Sequence, residues 1–154
     1  MKFVDEAVIK VEAGDSVEAT TNYDPSLPEI YGDRDLLVQV FLNIARNALL
    51  ALEGREDAKI IFKTRIKRQF TIGTTKHKLV VVAKIIDNGP GIPEELKETL
   101  FFPMITGNAA GTGLGLSIAQ SLVSQHDGTI EFESQPGKTV FTVYLPVTEQ
   151  RNEI

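Results

Sequence analysis

The strongest pattern along the chain is helical. Leu37, Val40, Phe41, Ile44, Ala48 and Leu52 recur at helical spacing, which predicts an amphipathic helix burying one stripe. Asp33 and Asp35 suit its N-terminus, and Gly54 stops it just beyond Glu53. Alternation marks the strands. Residues 7–11 and 16–21 alternate around Gly14-Asp15 and predict a hairpin, and Asp24-Pro25 and Leu27-Pro28 then break regular structure. Residues 59–70 and 78–86 predict two long paired strands joined around 71–77, the second carrying the Leu79 to Ala83 apolar run of a central strand. Residues 129–134 and 139–145 alternate around Pro136-Gly137 and predict a closing hairpin.

Two further helices lie between these hairpins. Pro93 at a first helical position, followed by Glu94 and Glu95, predicts one over 94–100, ending in the exposed apolar bulk of Phe101-Phe102-Pro103-Met104. Residues 113–125 predict the other, with Leu114, Ile118, Leu122 and Val123 inward and Asp127-Gly128 closing it. His126 stands at that C-terminus, where the helix dipole favours a cation and where a capping or surface role is the plainer alternative. Residues 106–112 are too small and polar to pack and predict a mobile lid, and 149–154 predict a frayed tail.

Composition narrows the classes. With 154 residues, 42% of them hydrophobic, the chain is expected to form one domain, 1–154, with its core over about 7–146. The lack of cysteine excludes disulfides, thiolate metal sites and cysteine nucleophiles. No apolar run approaches the roughly 20 residues of a membrane helix, and residues 1–10 lack a signal-peptide core, so a cytoplasmic protein without a membrane partner is expected. A net charge of -5 argues against nucleic-acid binding. Lys63, Arg65, Lys67, Arg68, Lys76 and Lys78 make the 59–86 hairpin the most basic segment. Either a solvated face with lysine-guarded strand edges or a partner surface accounts for it, with His77 in the turn and solvated.

The chemistry concentrates between Asp87 and Gly115. A carboxylate ending an apolar strand can accept a hydrogen bond from an exocyclic amine such as that of adenine, and Gly89 and Gly91 let a base approach the backbone. The run Gly111-Thr112-Gly113-Leu114-Gly115 opens a helix whose free N–H groups attract phosphate oxygens. It is not a Walker loop, since no Gly-Lys-Ser/Thr follows, nor a dinucleotide fingerprint, since Leu116 stands where a small residue belongs. Asn43 and Asn47, four residues apart, face the same way on a helix that neither amide favours. They are either exposed or core-edge amides or oxygen donors to a magnesium ion that keeps water and phosphate as its other ligands.

In order, Asn43-Ile44-Ala45-Arg46-Asn47-Ala48, Asp87 to Pro93, Phe101 to Met104 and Gly111 to Leu116 resemble the N, G1, F and G2 boxes of two-component sensor histidine kinases, most of all the nitrogen-regulation branch. The resemblance implies the Bergerat ATP-binding fold: an α+β, two-layer sandwich whose mixed, mostly antiparallel sheet is covered on one face by helices. It implies ATP and Mg²⁺ as cofactors. Asp87 would bind the adenine amine and Asn47 the metal, with Asn43 supporting the phosphate side and Arg46 reaching a phosphate. Gly89, Gly91, Ile92, Thr106, Gly111, Thr112, Gly113, Leu114, Gly115 and Leu116 would shape pocket and lid, and Thr139 would hold the adenine site through water. Phe101, Phe102 and Met104 match the box that anchors the lid and can touch the histidine-bearing helices.

The activity implied is transfer of the γ-phosphate to a histidine on a separate dimerisation domain, since neither His77-Lys78 nor His126-Asp127 has an acceptor's setting. The implied partners are that domain, a response regulator and a PII-type signal protein, with the isolated domain a monomer. A nucleotide-dependent regulatory module with little kinase activity is the alternative. In the ATPase branches of the fold the position of Asn43 is usually glutamate. An amide cannot take a proton there, so slow hydrolysis by this chain alone is expected.

Overall fold

The computed structural model describes residues 17–101 and 112–147, apart from 27, 29 and 31. In chain order the elements are β1 (Glu18–Asn22), α1 (Arg34–Ala51), β2 (Lys59–Ile72), β3 (Thr75–Asp87), α2 (Glu94–Lys97), α3 (Thr112–Gln125), β4 (Thr129–Gln135) and β5 (Lys138–Pro146). Among the described residues the sheet has the order β1-β2-β3-β5-β4. β1 runs parallel to β2, and every other pair is antiparallel. The fold is α+β, with α1 and α3 on one face of a mixed sheet.

Strand alternation decides which face is covered. Ile60 and Phe62 of β2, Ala83 and Ile85 of β3, Phe141, Val143 and Leu145 of β5 and Ile130 of β4 form one core with the stripe of α1 and with Leu116, Ala119 and Val123 of α3. Every predicted member of the α1 stripe is buried. Burying a Leu, Ile or Phe side chain contributes about 1.5–3 kcal/mol, so this row outweighs the modest cost of two asparagines on the same helix. The opposite face mixes charged side chains with apolar ones, Val80 and Val82 being buried there. Lys63, Arg65 and Lys67 pair across to Lys84, Val82 and Val80, and Tyr144 and Thr142 continue the rows towards Glu131.

α1 starts where expected: the Asp33 carboxylate accepts the Leu36 N–H at 3.1 Å, and Gly54 turns the chain beyond its end with φ +83°. The β2–β3 turn is tighter than predicted. Gly73, at φ +63°, closes it, so the strands extend to Ile72 and Thr75. His77 therefore lies within β3 opposite Phe70, half-buried, and not in a solvated turn.

The helix over 94–100 shrinks to the single turn of α2, with Pro93 at its cap. In α3 the inward stripe is Leu116, Ala119 and Val123, whereas Ile118, expected inward, is 45% exposed. At 100° per residue Ile118 points about 200° from Leu116, away from α1. Phe101 is not exposed bulk: its ring packs edge-on against Phe132 and Phe141 at 5.9 and 6.4 Å. The first arm of the 7–11/16–21 hairpin, the lid at 106–111, Phe102, Met104 and the 149–154 tail lie outside the described residues. Residues 18–22 find their partner in β2.

Candidate functional site

α1 acts as a ruler along the site. Asn43, Asn47 and Ala51 are spaced four apart on one side of the helix, each step advancing about 6 Å and turning about 40°. At one end a Cβ on Gly89 would lie 3.4 Å from the Ala51 carbonyl, so the loop after β3 rests on the end of α1. At the other end Asn43 Nδ2 donates to the Gly115 carbonyl at 3.1 Å, in the first turns of α3. The line from Asp87 to the glycine-rich helix start is therefore spanned by α1, with Asn47 in between.

Asp87 ends β3 and is 4% exposed. Its Oδ1 accepts the Gly89 N–H at 2.9 Å. Burial raises its carboxyl above the ordinary value, opposed by the Gly89 hydrogen bond and by the charge of Arg55. Thr139 is its direct cross-strand partner on β5 and is equally buried. Ser134, on β4, links the same floor to the following loop: its hydroxyl accepts the Ile92 N–H at 2.8 Å and shares a hydrogen bond with Thr139 Oγ1 at 2.8 Å. Gly91, at φ +94°, leaves space only for hydrogen, because a Cβ would stand 2.9 Å from the Gln135 carbonyl. Gly137 N–H donates to the Gly89 carbonyl at 2.9 Å, tying the last hairpin to this loop.

Asn43 is buried with its amide fully engaged. Its Oδ1 accepts from Gln39 Nε2 at 2.6 Å and lies 3.5 Å from Arg46 Nη1. These donors and the Gly115 acceptor assign the amide's orientation. Asn47 is half-buried, and its amide makes no hydrogen bond among the described residues, so its oxygen is available. Arg46 is exposed beside it. No group of three or more His, Asp or Glu that could hold a metal occurs among the described residues. A lone amide oxygen suits Mg²⁺, which keeps most of its shell in water and phosphate.

Asn43, Arg46 and Gly115 thus meet directly, as do Asp87, Gly89 and Thr139, with Ile92 joined through Ser134. Leu116 is core, 1% exposed, and its part is to seat α3. Thr112, Gly113 and Leu114 lie in α3, their side chains outside the described set, and Thr106 and Gly111 lie outside it altogether. Sequence reasoning missed three supports. Gln39 sits four residues before Asn43 on the same helix face, Ser134 is the register partner of Thr139, and Asn88 clamps the β2 entry. Asn88 Oδ1 accepts the Lys59 N–H and its Nδ2 donates to the Asp57 carbonyl, both at 2.8 Å. The first was legible from helical spacing; the other two needed the strand pairing.

Comparison with known proteins bears on this arrangement. The family described as histidine kinase-, DNA gyrase B-, and HSP90-like ATPase matches residues 32–149. The sensory histidine kinase/phosphatase NtrB of Klebsiella oxytoca is 51% identical over 140 residues, which is 91% of this chain and 40% of that protein. NtrB of Azospirillum brasilense is 42% identical over 132 residues, 83% of this chain and 33% of that one. The chain thus spans well under half the length of these relatives. Among solved structures, the nucleotide-free catalytic domain of the histidine kinase ThkA superposes with TM-score 0.77 at 28% identity, covering 94% of this chain and 90% of that one.

Proposed function

The chain belongs to the histidine kinase-, DNA gyrase B-, and HSP90-like ATPase family, and from that premise we infer that it holds Mg-ATP and passes the γ-phosphate to a histidine of a separate helical dimerisation domain. The observation that carries this is the line along α1, from the Asp87 and Thr139 floor, past Asn47, to Asn43 at the start of α3. Asp87 would accept the adenine amine, and the glycines after it let the base lie on the backbone. The free N–H groups opening α3 face the far end, where the triphosphate would lie.

Asn47 is the residue that would hold magnesium. When bound, the ion supplies charge neutralisation on the β- and γ-phosphate oxygens. The chain's own residues do the rest. Asn43, locked by Gln39, Arg46 and Gly115, offers no group to deprotonate a water, and Arg46 stands exposed beside it to meet a phosphate. A neutral imidazole needs no base to attack phosphorus. The N–P bond forms as the bond from the γ-phosphorus to its bridging oxygen breaks, leaving ADP and phosphohistidine.

We place the protein in the cytoplasm, acting within a nitrogen-regulation type two-component kinase; among the described residues no helix is long and apolar enough to cross a membrane. The test supplies a purified acceptor-helix dimer and γ-labelled ATP to this chain. Label on the acceptor histidine is the expected result. ATP binding without transfer would sink the kinase reading, and phosphate on His77 or His126 would sink the choice of acceptor.

A second reading, a regulatory docking module, is favoured by the uncovered sheet face. There Lys63, Lys84, Glu131, Glu133, Lys138 and Tyr144 line a groove of about 520 Å³ on the side away from α1. A PII-type signal protein would dock through such charge. Charge reversal at Lys63 and Lys84 should then abolish partner binding and leave nucleotide affinity alone.

A further inference from the structure

We infer that His126 is a positioning residue that clamps the start of α1 to the end of α3, and that it does so only as the neutral imidazole with its proton on Nδ1. Its consequence for nucleotide rests on the functional reading above; the clamp does not.

Both ring nitrogens of His126 are engaged. Nδ1 lies 2.8 Å from the Leu122 carbonyl, which can only accept. Nε2 lies 3.1 Å from the Asp33 backbone N, which can only donate. The tautomer follows without choice: hydrogen on Nδ1, a lone pair on Nε2. This is the capping role and not the cation that the helix dipole favours, because an imidazolium would set an Nε2–H against the Asp33 N–H.

The bond lands on a consequential residue. Asp33 is the N-cap of α1, its carboxylate turned onto the Leu36 N–H, so His126 grips the backbone of the cap itself. Gly32 is shaped for the ring, since a Cβ there would lie 2.6 Å from Cδ2 and 2.9 Å from Nε2.

Two ties now join the helices. His126 meets Asp33, and Asn43 meets Gly115. From 33 to 43 along α1 is about 15 Å, and from 115 to 126 along α3 about 16 Å, at 1.5 Å per residue. The equal lengths are those of two antiparallel helices pinned at both ends of their contact. Between the pins lie Leu37, Val40, Leu116, Ala119 and Val123 of the core. Loosening the distal pin lets α1 slide or tilt on α3, which displaces Asn43 and Asn47 from the glycine-rich helix start.

The charged residues next to the clamp in sequence are Asp33, Arg34 and Asp35 at the start of α1 and Asp127 after α3. From the sheet, this end is met by Gly128 against the Tyr144 carbonyl and Leu145, none of them charged.

The test uses this chain with ADP and a nonhydrolysable ATP analogue. Nitrogen NMR of His126 should report the Nδ1–H tautomer at neutral pH, and amide exchange at Asp33 should accelerate in His126→Ala. Loss of the pin should weaken nucleotide roughly threefold to tenfold, the worth of one hydrogen bond. Gly32→Ala, which displaces the ring while keeping it, should do the same and serves if His126→Ala folds poorly. His126→Gln, whose amide oxygen can accept the Asp33 N–H, should restore affinity and the protection of the Asp33 amide. An Nε2–H tautomer, or unchanged Asp33 exchange in His126→Ala, overturns the clamp. Changed exchange with unchanged affinity overturns its positioning role. If tautomer and protection hold while wild type takes up no nucleotide, the clamp stands and the functional reading fails.

Discussion

Asn43 donates through Nδ2 to the Gly115 carbonyl at 3.1 Å, across 72 positions of sequence, while its oxygen receives Gln39 and lies within reach of Arg46. A carboxylate in its place would keep Arg46 and Gln39 but turn an acceptor onto an acceptor at Gly115. Asn43→Ala should therefore destabilise the domain by about 1–3 kcal/mol, the cost of buried polar groups left without partners. Asn43→Asp should fall in the same range at neutral pH. Urea midpoints measure both, and a wild-type midpoint for either would remove the α1–α3 tie from the account of stability.

The raised Asp87 carboxyl has a defined sign. Its folded value lies above the unfolded one, so the folded state holds the proton more tightly. Burial of the charge then penalises stability fully above the folded pKa, and the penalty is relieved as pH falls through it towards the ordinary carboxylate value. Asp87→Asn retains an oxygen for the Gly89 N–H and should raise the melting temperature of the free domain at neutral pH, with the advantage shrinking on acidification through that window. The same substitution should weaken ADP about 10- to 100-fold, the worth of one hydrogen bond to a charged acceptor. Calorimetry with ADP and GDP checks this: a wild type that does not favour ADP would contradict a base-reading role for Asp87.

Gly91 and Gly73 separate backbone conformation from close approach. Both have positive φ, yet a Cβ on Gly73 meets nothing within 4 Å while one on Gly91 meets the Gln135 carbonyl at 2.9 Å. Gly73→Ala should cost about 1 kcal/mol, the ordinary penalty of a left-handed alanine. Gly91→Ala should cost about 2 kcal/mol or more, through strain added to that penalty, and should also weaken nucleotide by shifting the loop after Asp87. Equal melting temperatures for the two variants would show that the Gln135 contact yields freely.

Hydrolysis offers a kinetic check. With an amide at 43 and no acceptor present, this chain should release phosphate from ATP at a rate barely above background, and Asn43→Glu, which installs a base, should raise it measurably if the variant folds. A fast wild-type ATPase would mean that another residue activates water.

Much of the site was legible in the sequence because its residues are local in sequence. The α1 stripe and the Asn43, Asn47 spacing follow from 3.6 residues per turn, and Asp87 with its glycines follows from a strand that ends in a turn. Errors came where a choice depended on a neighbour. Ile118 and Leu116 are both apolar on one short helix, and only the position of α1 decides which is buried. Phe101 reads as exposed bulk until Phe132 and Phe141 arrive beside it from the last hairpin.

The sequence by itself determined the element types and the core periodicity, because those are set by covalent geometry and by residues within a few positions of each other, and its ordered boxes carried the family resemblance. Tertiary structure alone decided that Thr139 stands beside Asp87, that Ser134 joins it to Ile92, and that His126 Nε2 receives the Asp33 N–H. Each depends on strands or helices distant in the chain being brought to hydrogen-bond range. A histidine's proton follows its partners, and here one of them lies 93 residues away.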